Sequence, residues 1–172
     1  IRTMTRTLAR ALALAAGTAV AQDPEPAAAA GGAPAGEVLA PLDPVARWEV
    51  DRAALLDAAE VELEAFEYGA RPLVVFADSP RQPQFIEQMR LIEADLAALG
   101  YRDVAIVVDS DPDARSGPRR ALRPRGFALV LVDKDGRVIL RQPGPTSARE
   151  ITRAIDRSPL RQEEIRYRGG GG

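Results

Sequence analysis

The chain has 172 residues, 46% of them hydrophobic, a formal net charge of −2, and neither cysteine nor histidine. Length and apolar content suit one globular domain with some chain to spare. The two missing residue types exclude disulfides, thiol nucleophiles, thiolate zinc sites and imidazole bases together, leaving carboxylates, hydroxyls, arginines, backbone and the single lysine, Lys134.

The near-zero net charge hides an asymmetry. Gln22 to Ala114 holds 6 basic and 19 acidic residues, a net of −13, whereas Arg115 to the end holds 14 and 6, a net of +8. Either the two halves neutralise one another on a mixed surface, or the second half offers a basic face to an anionic partner.

Residues 1–21 read as a secretory signal. Arg2, Arg6 and Arg10 precede a short apolar run from Ala11 to Val20, and Ala19-Val20-Ala21 fits a small-x-small cleavage site with Gln22 as mature start. The run is about half of the ~20 residues that span a bilayer, so no transmembrane anchor is expected after cleavage. The implied address is a bacterial periplasm, or secretion. Residues 22–44 are a Pro/Ala/Gly linker with too little apolar surface to offset ordering, hence an expected flexible tether.

Val45–Leu56, with the only tryptophan, Trp48, is expected to run mostly extended along the domain edge. Ala59–Tyr68 is expected to be a short helix on Val61, Leu63 and Phe66, stopped by Gly69, with Glu60, Glu62, Glu64 and Glu67 toward solvent. Leu73–Ala77 is apolar at every position, as a strand covered on both faces must be. The loop that leaves it, Asp78–Pro83, lies where α/β sheets usually carry their sites.

Phe85, Met89, Ile92, Leu96 and Leu99 predict one amphipathic helix, opened by Pro83 and stopped by Gly100. Asp103–Asp109 is a second buried strand, reached by a parallel crossover. Asp111-Pro112 opens a short helix that Gly117-Pro118 interrupts, with a further turn over Pro118–Leu122. Phe127–Val132 is the third strand, Asp133–Gly136 a hairpin turn, and Arg137–Arg141 the antiparallel return. Ser147–Asp156 is a closing helix ended by Ser158-Pro159. Arg161–Arg168 is a charged tail with room for a helix, and residues 169–172 form a glycine tail without structure. The order β-α-β-α-β-β-α makes the fold class an α/β sandwich with a mixed sheet. It is the order of a thioredoxin-like core, with another small α/β sandwich as the alternative.

Four stretches carry a resemblance: Arg71-Pro-Leu-Val-Val-Phe-Ala-Asp-Ser-Pro80, Leu122-Arg-Pro-Arg-Gly-Phe127, Val132-Asp-Lys-Asp-Gly136 and Pro159-Leu-Arg-Gln-Glu-Glu-Ile-Arg166. With them the chain resembles a bacterial thioredoxin-like family known only as a domain of unknown function (DUF4174), itself similar to domains of secreted matrix proteins of the Equarin and sushi-repeat kind. The resemblance covers Trp48 to Arg168. It implies a thioredoxin-like domain over residues 45–168 and an exported location, and no activity. The paired cysteines of thioredoxins fall at Asp78–Arg81 here, and their cis-proline at Gly126-Phe127. Both are missing, so thiol oxidoreductase and cysteine peroxidase chemistry is excluded.

Two candidate sites remain. Asp78, Ser79 and Arg81 are either turn and cap residues or, with Arg125, a polar clamp for an anion beside a helix N-terminus. Arg115, Arg119, Arg120, Arg123 and Arg125 are either a solvated face or a surface for an acidic protein or anionic envelope component. They lack the interleaved aromatics of a nucleic-acid site. Asp109–Asp113 imitates a calcium loop, but Ala114 and Arg120 stand where glycine and glutamate are needed. No metal, cofactor or catalytic residue is assigned, and the sequence does not set the oligomeric state. The function expected is that of an exported, non-catalytic domain binding a protein or anionic ligand in the envelope. The alternatives are an enzyme of unknown reaction with an Asp/Arg pocket, or a structural component of an envelope assembly.

Overall fold

The computed structural model describes residues 42–169. The expected signal, nearly all of the expected linker and residues 170–172 are outside the described residues. Five strands form one sheet: β1 (Leu55–Asp57), β2 (Arg71–Phe76), β3 (Val104–Asp109), β4 (Ala128–Val132) and β5 (Val138–Gln142). The helices are α1 (Pro44–Val50), α2 (Pro83–Glu93), α3 (Leu96–Gly100), α4 (Gly117–Leu122), α5 (Ala148–Asp156) and α6 (Pro159–Gly169).

Strand β2 is buried at all six positions and sits at the centre of the order β1-β3-β2-β4-β5. It pairs in parallel with β3 and antiparallel with β4; β1 joins β3 in parallel and β5 joins β4 antiparallel. Three parallel strands followed by an antiparallel pair, with helices on both faces, make this a thioredoxin-like α/β sandwich. Successive strand side chains point to opposite faces, so β2 serves two cores. Val74 and Phe76 pack with Trp48, Leu56 and Phe66 on one side; Leu73 and Val75 pack with Ile92, Leu99, Ile151 and Ile155 on the other.

Several expectations are corrected. Residues 45–56 are not mostly extended: Asp43 accepts the Ala46 N–H at 2.9 Å and Pro44 opens α1, which precedes β1. Only Trp48 is fully buried on α1, so no repeating apolar stripe announces the helix. Residues 59–68 form no α-helix but two 3-10 turns, Ala58–Glu60 and Leu63–Phe66: the Asp57 side chain caps the first, and the backbone is extended at Val61 and Glu62 between them. The stripe from Phe85 to Leu99 belongs to two helices, interrupted at Ala94-Asp95 where Asp95 leaves helical geometry. Gly100 closes α3 from within, and the left-handed turn into β3 falls on Asp103 instead. Gly117-Pro118 opens α4 and does not interrupt a helix: Ser116 Oγ accepts the Arg119 N–H at 3.0 Å. The charged tail is helical, and α6 runs to Gly169.

Candidate functional site

At the carboxyl end of β2, the Asp78 carboxylate stands against Gly126, with Oδ2 3.7 Å from where a Cβ would project. Gly126 has φ +60°, a conformation that L side chains adopt only at a cost. The loop after β2 and the approach to β4 thus face one another. The Asp78 N–H donates to Gln82 Oε1 and the Gln82 side-chain amide to Gln84 Oε1, each at 2.9 Å. Ser79 gives its carbonyl to the Gln82 N–H at 3.2 Å. The loop is therefore a turn knotted around Gln82, a residue the sequence reading passed over. Asp78, Arg81 and Arg125 form no ion pair among the described residues, so the expected clamp is not assembled.

The arginine cluster divides. Arg119 lies inward: its Nε and Nη2 reach Asp109 Oδ1 at 3.0 and 2.6 Å, and Nη2 also reaches the Ala77 carbonyl at 3.0 Å. Asp109 is buried and also accepts from Ser116 Oγ at 2.5 Å. Arg119 is thus a strut across the carboxyl ends of β2 and β3 and not a free binding residue, and the carboxylate that opened the calcium-like run is already paired. Asp111 is likewise engaged, accepting the Asp113 N–H at 3.0 Å. Arg120 turns back to the Arg115 carbonyl at 2.6 Å.

Arg123 and Arg125 point elsewhere. With Phe127, Pro143 and Arg141 of β5 they line an open groove of about 460 Å³ whose lining includes no carboxylate. Arg141 is anchored through Nη2 to the Leu122 carbonyl at 3.0 Å, while Arg123 and Arg125 are exposed. Arg123 adopts φ +47° as the residue closing α4, a position glycine would fill without strain. Arg141 joins this group only through the hairpin, and no local signal in the sequence announced it.

A second polar assembly, also missed, lies at the opposite end of the sheet. Arg71 is completely buried at the start of β2. Its Nε donates to Asp133 Oδ1 at 2.8 Å, Nη2 to Glu164 Oε1 at 2.9 Å and Nη1 to the Arg102 carbonyl at 3.0 Å. Ser158 donates to the other Asp133 oxygen. Arg161 and Lys134 bind Glu164 at 2.9 and 3.1 Å, and Lys134 also holds Asp103 at 2.8 Å. Burial pushes the Glu164 carboxyl up, but hydrogen bonds from Arg71, Arg161 and Lys134 outweigh it and hold the group at about 2. Every cation here faces an anion, which is the arrangement of a clasp that ties α6 to the sheet. Among the described residues no cluster of acidic groups is placed to hold a metal, and no helix is long and apolar enough to cross a membrane.

Residues 62–164, more than half of the chain, match the family described as "Domain of unknown function (DUF4174)", and the chain belongs to that family. No curated protein matches it. Among solved structures it is similar to the mitochondrial 2-Cys peroxiredoxin from Plasmodium falciparum, at 14% identity over 59% of this chain and 84% of that one, with a TM-score of 0.42. The thioredoxin-like assignment rests on strand order and direction rather than on this likeness.

Proposed function

We propose that this member of the DUF4174 family is a non-catalytic binding domain that takes a negatively charged ligand in the groove at Arg123, Arg125 and Arg141. The groove itself carries the reading: three arginines over Phe127 and Pro143, with no carboxylate in the lining. Like charges held together cost self-repulsion unless an anion relieves it, and a guanidinium matches a carboxylate or phosphate with two parallel hydrogen bonds. Without thiol or imidazole, and with Asp78 unpaired with Arg81 or Arg125, the site offers recognition and no assembled acid–base pair. Export to a bacterial envelope is part of the reading, supported by the basic start, short apolar run and small-x-small site of residues 1–21.

Titration of a labelled polyglutamate peptide against the chain, at low and physiological salt, tests the groove. The double reversal Arg123→Glu/Arg125→Glu is expected to weaken binding by about tenfold or more while leaving urea stability unchanged, since both side chains are exposed. Binding that survives the reversal would refute the proposal. Amino-terminal sequencing of the chain from a periplasmic fraction checks export, with Gln22 the expected first residue.

A further inference from the structure

We infer that the outer edge of β5 receives an extended acidic segment of another protein as a sixth strand, its acidic side chains over the arginine groove and its apolar side chains against α5. The inference rests on the groove as an anion site and adds how the ligand lies on it. Strand β5 pairs only with β4, with a bulge at Ile139 between Val138 and Leu140, and among the described residues no backbone hydrogen bond reaches its other side. Such an edge presents a row of free N–H and C=O groups, a ready template for an added strand.

The two faces of β5 differ in chemistry. Arg141 stands opposite Val130 and shares its face, the side on which α4 packs and the arginine groove opens. Leu140 stands opposite Leu131 and shares the α5 face. There Leu140 and the bulged Ile139 border, with Ala154, Arg157, Ser158 and Pro159, a second hollow of about 350 Å³. Beyond the bulge, along Leu140–Gln142, a strand laid beside β5 sends alternate side chains to these two faces. One row meets arginines, the other meets mostly aliphatic surface. The segment that fits is extended, acidic at every second residue and apolar between.

Charge decides against a second copy of this chain as the occupant. Two β5 edges would bring Arg137 and Arg141 of both copies together, and the nearby carboxylate, Asp135, is already held by Arg137. Like charges facing one another across strands are destabilising. The arginines that deter self-pairing attract an acidic strand.

The test uses the full chain and a short capped peptide of alternating glutamate and valine, in three forms: unmodified, backbone N-methylated at the glutamates only, and N-methylated at the valines only. In a strand the N–H groups of the two residue types point to opposite edges. Strand addition therefore predicts that one methylated isomer binds like the parent and the other loses about tenfold or more, as removal of several hydrogen bonds requires. Equal effects of the two isomers, whether both bind or neither does, overturn strand addition. If Arg123→Glu/Arg125→Glu still abolishes parent binding in that case, the anion groove stands without it. A parent peptide that does not bind, or binds the reversed variant equally, removes the groove and the added strand together. Sedimentation of the free chain as a dimer that the peptide dissociates would assign the edge to a second copy and overturn the proposal.

Discussion

Glu164 gathers three cations at the clasp between α6 and the sheet, and Glu164→Gln removes its charge while keeping its shape. The carboxyl falls from an ordinary 4.5 to about 2 because the donors Arg71, Arg161 and Lys134 together outweigh burial. A depression of that size corresponds to up to about 3 kcal/mol of stability at neutral pH, trimmed to about 2–3 kcal/mol for the part of the side chain that water still reaches. Because the folded carboxyl is the stronger acid, this contribution is complete above the unfolded value of 4.5 and is lost as pH falls through about 2. The difference between wild type and variant should therefore be about 2–3 kcal/mol at pH 7, roughly 1 kcal/mol at pH 3, and a few tenths at pH 2. Urea unfolding followed by the fluorescence of Trp48, the only tryptophan, reads it. Other depressed carboxyls, such as Asp156 beside Arg102, titrate in both proteins and cancel in the difference. A gap that is the same at pH 7 and pH 3, or below about 0.5 kcal/mol at pH 7, would show that the clasp does not work through this charge.

Arg119→Ala leaves the Asp109 carboxylate buried with only Ser116 beside it, and should cost about 3 kcal/mol in urea unfolding. Arg120→Ala, which loses only a contact to an exposed carbonyl, should stay within about 0.5 kcal/mol. Arg123→Gly relieves the left-handed backbone that closes α4 and should raise stability by about 0.5–1 kcal/mol while weakening polyglutamate binding, a pairing that unfolding and titration together check. Trp48→Ala opens a cavity under α1 and breaks the Nε1 hydrogen bond to the Val104 carbonyl, 3.0 Å long. It should cost about 3–5 kcal/mol by circular dichroism. Arg52→Ala, which removes the guanidinium 3.7 Å above the Trp48 ring and an exposed ion pair, should cost less than about 1 kcal/mol.

The parts of this fold that were legible beforehand are those with a repeating local pattern. Leu73–Ala77, apolar at every position, suited a covered strand, and β2 spans Arg71–Phe76; the stripe from Phe85 to Leu99 faces a core as expected, though on two helices and not on one. Where a single buried residue organises the chain, as Trp48 does on α1, there is no repeat to read, and the cap from Asp43 decides the conformation. The absence of cysteine and histidine excluded thiol chemistry before any geometry was known.

The fate of individual charges was decided by tertiary structure. Arg119, Arg120 and Arg123 are near neighbours in the chain, yet one braces two strand ends, one folds back on its own loop and one borders an open groove. Arg141 reaches that groove from across the hairpin, and Arg71 meets Glu164 across 93 positions. Periodicity is a relation between residues a few places apart, so it survives in the sequence. An ion pair depends on which distant groups the fold brings within about 3 Å in a dry place, and that distance exists only once the chain has folded.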